Sequence, residues 1–480
     1  MKWKTLLSTK KLTAEPEDPQ AFKGYPINDF EKDYNRIVSS AAFRRLQDKT
    51  QVFPLDKSDF VRTRLTHSIE VSTIARQLGI MISKNTTEYR PADINSEDAE
   101  GIASVLLCAG LLHDLGNPPF GQFGETVIGD WFAENLSKIH YKGKPLCEWL
   151  TPQMISDLKH FEGNAQALRM LLKAKHSSEI NLSQAIISTL VKYPVDSLSY
   201  DKDADDIKRH KLGYYKSEEE EFLHISRSIG TIDTNGQICR HPLTFLLEAA
   251  DDIAYATADL EDAFKKKMFT LDEFIKYFKS AYRPEDIIDH RSSAYYSEVL
   301  INDLCSRRGD IHTATGDSNA FRDWLRDTRR WLMYVAVYCF SKNYRSIMNG
   351  TYRNDLFTGT NHSLTIKILK KALGEFVFDT NGILKLELSA QTILSFLLDK
   401  FVHAVLYDGY EDESLGFAPT KADKKYLSIF SDNYKRDYKK ARTGEEGYDL
   451  YLRLLMVTDY ISGMTDSYAR DLYRELSGIE

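Results

Sequence analysis

Apolar residues recur at helical spacing along almost all of this 480-residue chain, and that period constrains the fold more than any other feature. His67, Val71, Ile74 and Leu78, for example, follow one another at intervals of four, three and four residues, which places them on one face of a helix. Similar runs continue to the C-terminus. The pattern therefore predicts an all-α fold with at most one small β-hairpin.

The best candidate for that hairpin is residues 376–388, where apolar and polar residues alternate on either side of Asn381-Gly382. An Asn-Gly pair between two such runs is typical of a two-residue hairpin turn. No Pro- or Gly-rich linker divides the chain convincingly, so we expect one large helical body over residues 1–480.

Composition excludes several classes of protein. The chain has 63 Lys and Arg against 70 Asp and Glu, a net charge of −7, so no overall positive field attracts nucleic acid. The first 19 residues lack the apolar segment of a secretory signal, and no run of about 18 apolar residues predicts a membrane helix. Five scattered cysteines, none in CxxC spacing, indicate a reducing cytoplasm rather than a disulfide framework.

Three separated elements carry residues that suit a hydrolytic metal site. His67 lies at the start of one predicted helix, His113-Asp114 at the end of another, and Asp251 within the apolar helical run of residues 241–264. A carboxylate inside an apolar helix is costly unless it is paired or binds a metal. Each element alone is weak evidence, since a histidine at a helix start is more often a cap or a surface residue.

Taken together and in order, the segments RLTHS, HDLGNPPFG and EAADDIAYATADLEDA resemble the HD-domain deoxynucleoside triphosphate triphosphohydrolases, and most closely the bacterial dGTP triphosphohydrolases. The resemblance continues in SSAAFRRLQDKTQVFPL, KHFEGNAQALR, KLGYY and DYISGMTDSYA, from about residue 38 to about residue 470. It implies an HD phosphohydrolase core at about residues 38–265. A helical C-terminal part at about 266–480 would contribute to the nucleotide pocket and to oligomer contacts.

By this resemblance His67, His113, Asp114 and Asp251 would be the four metal ligands. The reaction would be attack of water on the α-phosphate of dGTP, which releases deoxyguanosine and intact triphosphate. The ligand types suit Mn²⁺ or Mg²⁺, and also Co²⁺ or Fe²⁺. A bound ion would neutralise charge on the phosphate and orient the attacking water.

The resemblance also implies contacts to the triphosphate. Arg64 precedes His67 by three residues and would reach a phosphate from the same helical face. Lys192 and Lys211 match positions where the family places lysines on the triphosphate, and Asn164 in FEGNAQ is a further candidate. Without the resemblance, each lysine would be an ordinary surface residue.

For the sugar, Tyr255 and Asp259 follow Asp251 at intervals of four and eight residues, hence on one helical stripe. The resemblance implies that Tyr255 excludes a 2′-hydroxyl, while Asp259 and Gln51 hold the 3′-hydroxyl. Without the resemblance, Tyr255 would be interpreted as core packing.

One residue departs from the family pattern. This chain has Gln122 in GQFGE, where the bacterial dGTP hydrolases usually have a histidine that acts with the glutamate corresponding to Glu125. An amide exchanges no proton at useful pH, and loss of a general acid or base costs on the order of 10²–10⁴ in rate. We therefore expect slow turnover with substrate binding preserved, unless another group such as His160 compensates.

Residues 421–442 combine eight Lys and Arg with four interleaved aromatic residues, a composition found in single-strand-binding surfaces. The same four-residue spacing fits an amphipathic helix with a buried aromatic face, which we favour. The resemblance implies a homo-oligomer, commonly a hexamer, with single-stranded DNA as an effector. Two other functions stay open, namely an HD phosphohydrolase for another nucleotide and a non-catalytic nucleotide- or DNA-binding protein.

Overall fold

A computed structural model describes residues 1–13, 28–53, 55, 58, 60–174, 180–233, 235–308, 313–378, 381–406 and 419–479. Within these residues the fold is almost wholly α-helical, which confirms the predicted class. The α-helices are α1 (Trp3–Leu6), α2 (Asp29–Ser39), α3 (Ala41–Arg44), α4 (Arg64–Tyr89), α5 (Ser96–Leu112), α6 (Gly121–Asn135), α7 (Pro152–Lys159), α8 (Gly163–Ala174), α9 (Gln184–Leu190), α10 (Glu219–Ile229), α11 (Pro242–Lys265), α12 (Leu271–Ser280), α13 (Ser293–Arg308), α14 (Ala314–Lys342), α15 (Tyr344–Met348), α16 (Ser363–Leu373), α17 (Asn381–Leu406), α18 (Lys421–Ile429), α19 (Asp432–Ala441), α20 (Glu446–Ser462) and α21 (Asp466–Ser477).

Short 3₁₀ helices and one π-helical turn connect some of these helices. The 3₁₀ helices are Arg45–Asp48, Leu146–Glu148, Ile207–Arg209, Lys216–Glu218 and Pro284–Asp286, and the π-helical turn is Gly374–Phe378. No helix among the described residues is both long enough and apolar enough to span a bilayer.

The predicted hairpin at residues 376–388 is wrong. Its second half belongs to α17, in which Ile383, Ala390, Leu394 and Leu397 are buried at helical spacing. The apparent alternation is too short to outweigh the burial of that stripe against α6 and α20. Residues 379 and 380, where the first strand would end, lie outside the described residues.

The strand pair that the structure contains is much smaller and lies elsewhere. Strand β1 (His140–Tyr141) pairs antiparallel with β2 (Lys144–Pro145). The two intervening residues, Lys142 and Gly143, both have positive φ, 47° and 79°, as a tight two-residue hairpin turn requires. With strands of two residues, its sequence carries no alternating pattern that could have predicted it.

Within the part of the chain that the structure describes, two buried apolar clusters form the core. The first combines α1, α2, α4, α5 and much of α8–α16, and the second combines α6 and α7 with α17–α21. The junction of α5 and α6 passes from one cluster to the other, since Leu115 belongs to the first and Phe120 to the second. The predicted division near residue 265 stays a prediction.

Candidate metal and nucleotide site

A cavity of about 430 Å³ lies where the two clusters meet, and most of the predicted site residues line it. Eleven of the thirteen do so: Gln51, Arg64, His113, Asp114, Gln122, Glu125, Asn164, Lys192, Lys211, Asp251 and Tyr255. His67 and Asp259 are not in its lining. Residues from widely separated parts of the sequence therefore share one surface.

Helix ends and one long helix bring the candidate metal ligands together. His67 lies in the first turn of α4, which begins after the N-cap Thr63, while His113 caps the C-terminus of α5. Asp251 projects from the middle of α11. The Nε2 atoms of His67 and His113 lie 3.3 and 3.4 Å from the same oxygen of Asp251. The fully buried His67 thus stands behind the cavity wall, within reach of the same centre.

The donor atoms of this trio fit a divalent cation. His113 Nδ1 lies 2.8 Å from the carbonyl oxygen of Gly110, so it donates its hydrogen there and Nε2 faces Asp251. Burial opposes protonation of this imidazole, but Asp114 and Asp251 outweigh it and raise the pKa of His113, so a bound cation would replace a proton on Nε2. Among the described residues, His113 Nε2 is buried and has no hydrogen-bond partner. Two imidazoles around a carboxylate are ligands that first-row divalent metals accept.

Asp114 lies at the side of this centre. One oxygen is 3.6 Å from His113 Nε2 and accepts a hydrogen bond of 2.6 Å from Asn117 Nδ2. The other oxygen accepts a hydrogen bond of 2.8 Å from Arg64, the residue expected at a phosphate. Asp114 is thus held from both sides next to His113, but it lies outside the group formed by His67, His113 and Asp251, whose donor atoms are all within 4.8 Å of one another.

Charges around the centre keep its carboxylates ionised. Burial would raise the pKa of Asp114, but Arg64 and His113 outweigh it and lower the pKa to about 2. Burial likewise opposes ionisation of Asp251, yet Lys192, whose Nζ is 2.6 Å away, and His113 hold its pKa well below the ordinary value. Two permanent negative charges at this point favour cation binding.

Glu125 on α6 also faces the cavity, but unlike Asp114 and Asp251 it is protonated at neutral pH. Burial, reinforced by the neighbouring Glu162, raises the pKa of Glu125 to about 8. Its Oε1 accepts a hydrogen bond of 3.0 Å from the backbone N–H of Gly163. Gln122, one turn earlier on α6, is exposed at the rim. Glu125 therefore holds a proton at neutral pH, and Gln122 brings no titratable group.

Close backbone approach fixes these groups. A Cβ at Gly163 would lie 2.6 Å from Glu125 Oε1 and 2.5 Å from Asn117 Oδ1. One at Gly116 would lie 2.1 Å from the carbonyl oxygen of Gly163. Since real Cβ atoms do not approach so closely, the start of α8 can contact the α5–α6 junction only through glycines.

The two remaining triphosphate candidates share one acidic partner. Lys211 Nζ lies 2.9 Å from Glu162, and Asn164 Nδ2 donates to the same carboxylate at 2.6 Å. Glu162 is not among the predicted site residues, although it lies in the FEGNAQ segment two residues before Asn164.

The sugar candidates are only partly assembled. Tyr255 and Gln51 line the cavity, and Gln51 Oε1 is buried with no hydrogen-bond partner among the described residues. Asp259 is buried two turns along α11 from Asp251, and its Oδ2 is likewise unpartnered within that part of the chain. Burial raises the pKa of Asp259 to about 7. His160 is exposed, lies against Tyr200 and is absent from the cavity lining, so its position does not support a compensating role.

The far wall comes from the C-terminal half, which sequence analysis could not assign in detail. Its apolar part is Phe378, Ile383, Leu386 and Ala390, and its charged part is Glu387 and Lys370, the latter 2.6 Å from Asp252.

Comparison with known proteins decides the family. The HD domain model matches residues 64–165, the segment from Arg64 through the start of α8. Over its whole length the chain is 42% identical to the deoxyguanosinetriphosphate triphosphohydrolase-like protein of Listeria monocytogenes, all of which is covered. It is 33% identical to the deoxyguanosinetriphosphate triphosphohydrolase of Klebsiella pneumoniae, over 94% of both chains. The chain belongs to the HD-domain deoxyguanosinetriphosphate triphosphohydrolase family.

The HD domain match covers only part of the cavity lining. The matched HD segment contains His67 and the His113-Asp114 pair, while Asp251 and the apolar far wall lie beyond it. The aromatic residues of segment 421–442 pack inward in this member of the triphosphohydrolase family. The ring centroids of Phe430 and Tyr434 lie 4.5 and 5.7 Å from that of Tyr460. The aromatic face packs inward as predicted, but residues 421–442 form two helices, α18 and α19, with Phe430 between them, instead of one amphipathic helix.

Proposed function

We propose that this protein hydrolyses dGTP to deoxyguanosine and inorganic triphosphate, slowly, by attack of water on the α-phosphate. The observation that carries the proposal is the convergence of His67, His113 and Asp251 beside the cavity that Arg64 and Lys192 line. An anionic ligand cluster next to fixed cations suits a metal-assisted reaction at a phosphate.

His67, His113, Asp114 and Asp251 would hold a divalent cation, Mn²⁺ or Mg²⁺ in our proposal and Co²⁺ or Fe²⁺ as alternatives. When bound, the cation would neutralise charge on the phosphate and orient the attacking water. Lys192, Lys211, Arg64 and Asn164 would contact the triphosphate.

The deoxynucleoside would lie between α11 and the far wall. Tyr255 would fill the space of a 2′-hydroxyl, and Gln51 with Asp259 would hold the 3′-hydroxyl through their unpartnered oxygens. Guanine presents an amino donor and the acceptors O6 and N7, which match the carboxylate of Glu387 and the ammonium of Lys370. This wall is our proposal for base selection.

Slow turnover follows from the proton chemistry available. Glu125 keeps a proton near neutral pH and can give it to the leaving 5′-oxygen, but Gln122 can neither accept nor supply one. We expect kcat to lie about 10²–10⁴ below that of a chain with histidine at position 122.

The deciding experiment compares this protein with its Gln122→His variant, using dGTP with Mn²⁺ or Mg²⁺ and separating triphosphate from pyrophosphate and phosphate. The matched control is Thr126→His, which adds a histidine one turn further along α6, outside the cavity lining. Faster triphosphate release in Gln122→His alone supports the proposal. Equal rates in this protein and Gln122→His would show that another group carries the proton.

The alternative is a non-catalytic nucleotide-binding protein, which Gln122 favours. Its signature is tight dGTP binding with no triphosphate release from either protein. An HD phosphohydrolase for another nucleotide would be recognised by its products from a panel of nucleotides.

We also propose a cytoplasmic homo-oligomer, a hexamer by resemblance, that responds to single-stranded DNA. The exposed Lys421, Lys425, Lys439 and Lys440 on α18 and α19 support a polyanion surface. Gel filtration with light scattering, and activity with and without a single-stranded oligonucleotide, test these points.

A further inference from the structure

The loop between α5 and α6, residues 115–120, joins the ligand pair His113-Asp114 to the helix that carries Glu125. Phe120 within it has φ of 64°, a left-handed conformation that a residue with a large side chain adopts only when surrounding contacts impose it. Two buried polar side chains from outside the loop, those of Asp466 and Lys49, supply such contacts.

The first is Asp466, which is 1% exposed in the first turn of α21, almost at the other end of the chain. Its Oδ1 accepts the backbone N–H of Phe120 at 2.9 Å. Its Oδ2 accepts both the backbone N–H and the hydroxyl of Thr50, at 3.0 and 2.9 Å. One carboxylate therefore ties the left-handed residue of the loop to the residue next to the cavity-lining Gln51.

The second is Lys49, which is 2% exposed. Its Nζ donates to the carbonyl oxygen of Asn117 at 2.7 Å and to that of Ser462, the last residue of α20, at 2.6 Å. Asn117 in turn donates from Nδ2 to the candidate ligand Asp114 at 2.6 Å. A continuous chain of hydrogen bonds thus connects the C-terminus of α20 to the metal centre.

These contacts give a role to the segment DYISGMTDSYA, which sequence analysis singled out and the proposed function does not use. Ser462 and Asp466 flank the turn between α20 and α21. Asp466 contacts the loop directly at Phe120, and Ser462 contacts Lys49, which also contacts the loop. We propose that Lys49 and Asp466 are positioning residues for the reaction: they hold loop 115–120, and through it Asp114 and Glu125, in the reactive arrangement. This inference rests on the proposed function.

The hydrogen bonds of Lys49 and Asp466 should be sensitive to small changes in these two side chains, because most of the bonds are buried. Asp466 accepts three hydrogen bonds and Lys49 donates two. All but the half-buried bond from Lys49 to Asn117 are buried, so water cannot readily replace a lost partner there. Asp466→Asn keeps the shape but turns one acceptor atom into a donor that faces another donor. Lys49→Met keeps the aliphatic stem and removes both donors.

The test uses Asp466→Asn and Lys49→Met, each made in this protein and in its Gln122→His variant. Glu475→Gln, an exposed carboxylate change on the same helix α21, is the matched control. Three quantities are measured: hydrogen exchange of peptides covering residues 115–123, Mn²⁺ affinity by electron paramagnetic resonance, and kcat and KM for dGTP.

We expect exchange in residues 115–123 to accelerate at least about tenfold in both variants, while peptides from α4 and α11 stay as in the parent. We expect kcat to fall about tenfold or more in both variants. KM should change less than about threefold in Lys49→Met, because within the described residues Lys49 Nζ donates only to Asn117 and Ser462, whereas Asp466→Asn also releases Thr50 beside Gln51 and should raise KM further. The control should match the parent in all three measurements.

Unchanged exchange in the loop would overturn the inference, as would exchange that accelerates equally in every helix with kcat lost only in proportion to unfolding. If neither the parent nor Gln122→His hydrolyses dGTP, the proposed function fails by itself. The loop exchange and the Mn²⁺ affinity then decide: a faster loop with at least about tenfold weaker Mn²⁺ binding supports positioning of Asp114, and parental values of both refute it.

Discussion

Replacing Glu125 by Gln should stabilise the protein, in a pH-dependent way, while removing its activity. Burial and Glu162 raise the pKa of Glu125 from the ordinary 4.5 to about 8. Between these values the folded protein keeps a proton that the unfolded chain has lost, so its stability falls as pH rises through this window. The amide introduced by Glu125→Gln would keep an oxygen to accept the Gly163 N–H at any pH, without a charge to bury.

The size of the effect follows from the same shift. Each pH unit within the window costs about 1.4 kcal/mol, which gives an upper limit of about 5 kcal/mol at pH 8. Relaxation around the ionised group reduces this, and we expect about 2–4 kcal/mol. Since a 480-residue chain unfolds with about 1 kcal/mol per degree, Tm should rise by about 2–4 °C at pH 8 and hardly at all near pH 5.

The assay is thermal unfolding of metal-free protein with a chelator present at several pH values between 5 and 8, so that only the charges of the chain act on Glu125. Glu134→Gln, an exposed carboxylate on the same helix, is the control and should change Tm by the same small amount at every pH. A Tm gain that is equal at pH 5 and pH 8, or a Tm loss at pH 8, would refute the reasoning about Glu125.

Three further predictions concern the same cavity. Gly163→Ala places a methyl group against Asn117 and Glu125, and it should lower Tm by about 1–3 °C and kcat at least about tenfold, measured by unfolding and triphosphate release. Asp251→Asn removes a permanent negative charge, and Mn²⁺ affinity by electron paramagnetic resonance should fall more than the roughly 10–100-fold typical of changes beside a ligand. Tyr255→Ala opens space for a 2′-hydroxyl, so the ratio of kcat/KM for dGTP over GTP should drop at least about tenfold.

The sequence could predict the parts of the site that regular helices dictate. The position of Asp251 inside an apolar helical run indicated that its carboxylate is either paired or bound to a metal. The structure places one carboxylate oxygen 3.3 and 3.4 Å from two histidines. Tyr255 follows at one helical turn and reaches the same cavity. Such predictions succeed because a helix converts spacing into direction.

Contacts between distant segments were out of reach. Nothing in the sequence indicates that Lys49 meets Ser462, or that Asp466 meets Phe120, since those contacts depend on how two apolar clusters pack. The small hairpin at residues 140–145 was missed for a related reason, because two-residue strands have no period to detect. The direction of a side chain on a helix depends on local sequence, whereas contacts between distant loops depend on the packing of the whole chain.

Pairing of charges inside the cavity is the most consequential of these unpredicted contacts. Ion pairs join Lys192 to Asp251, Lys211 to Glu162 and Lys370 to Asp252. If the proposed triphosphate binds here, its phosphates would take these lysines from acidic partners rather than meet unpaired lysines. Lys192 can leave Asp251 for a phosphate at little cost only when another cation neutralises that carboxylate, because an unpaired buried charge is costly. Binding of metal and of nucleotide should consequently favour each other, with Asp251 as the shared residue through which the coupling acts.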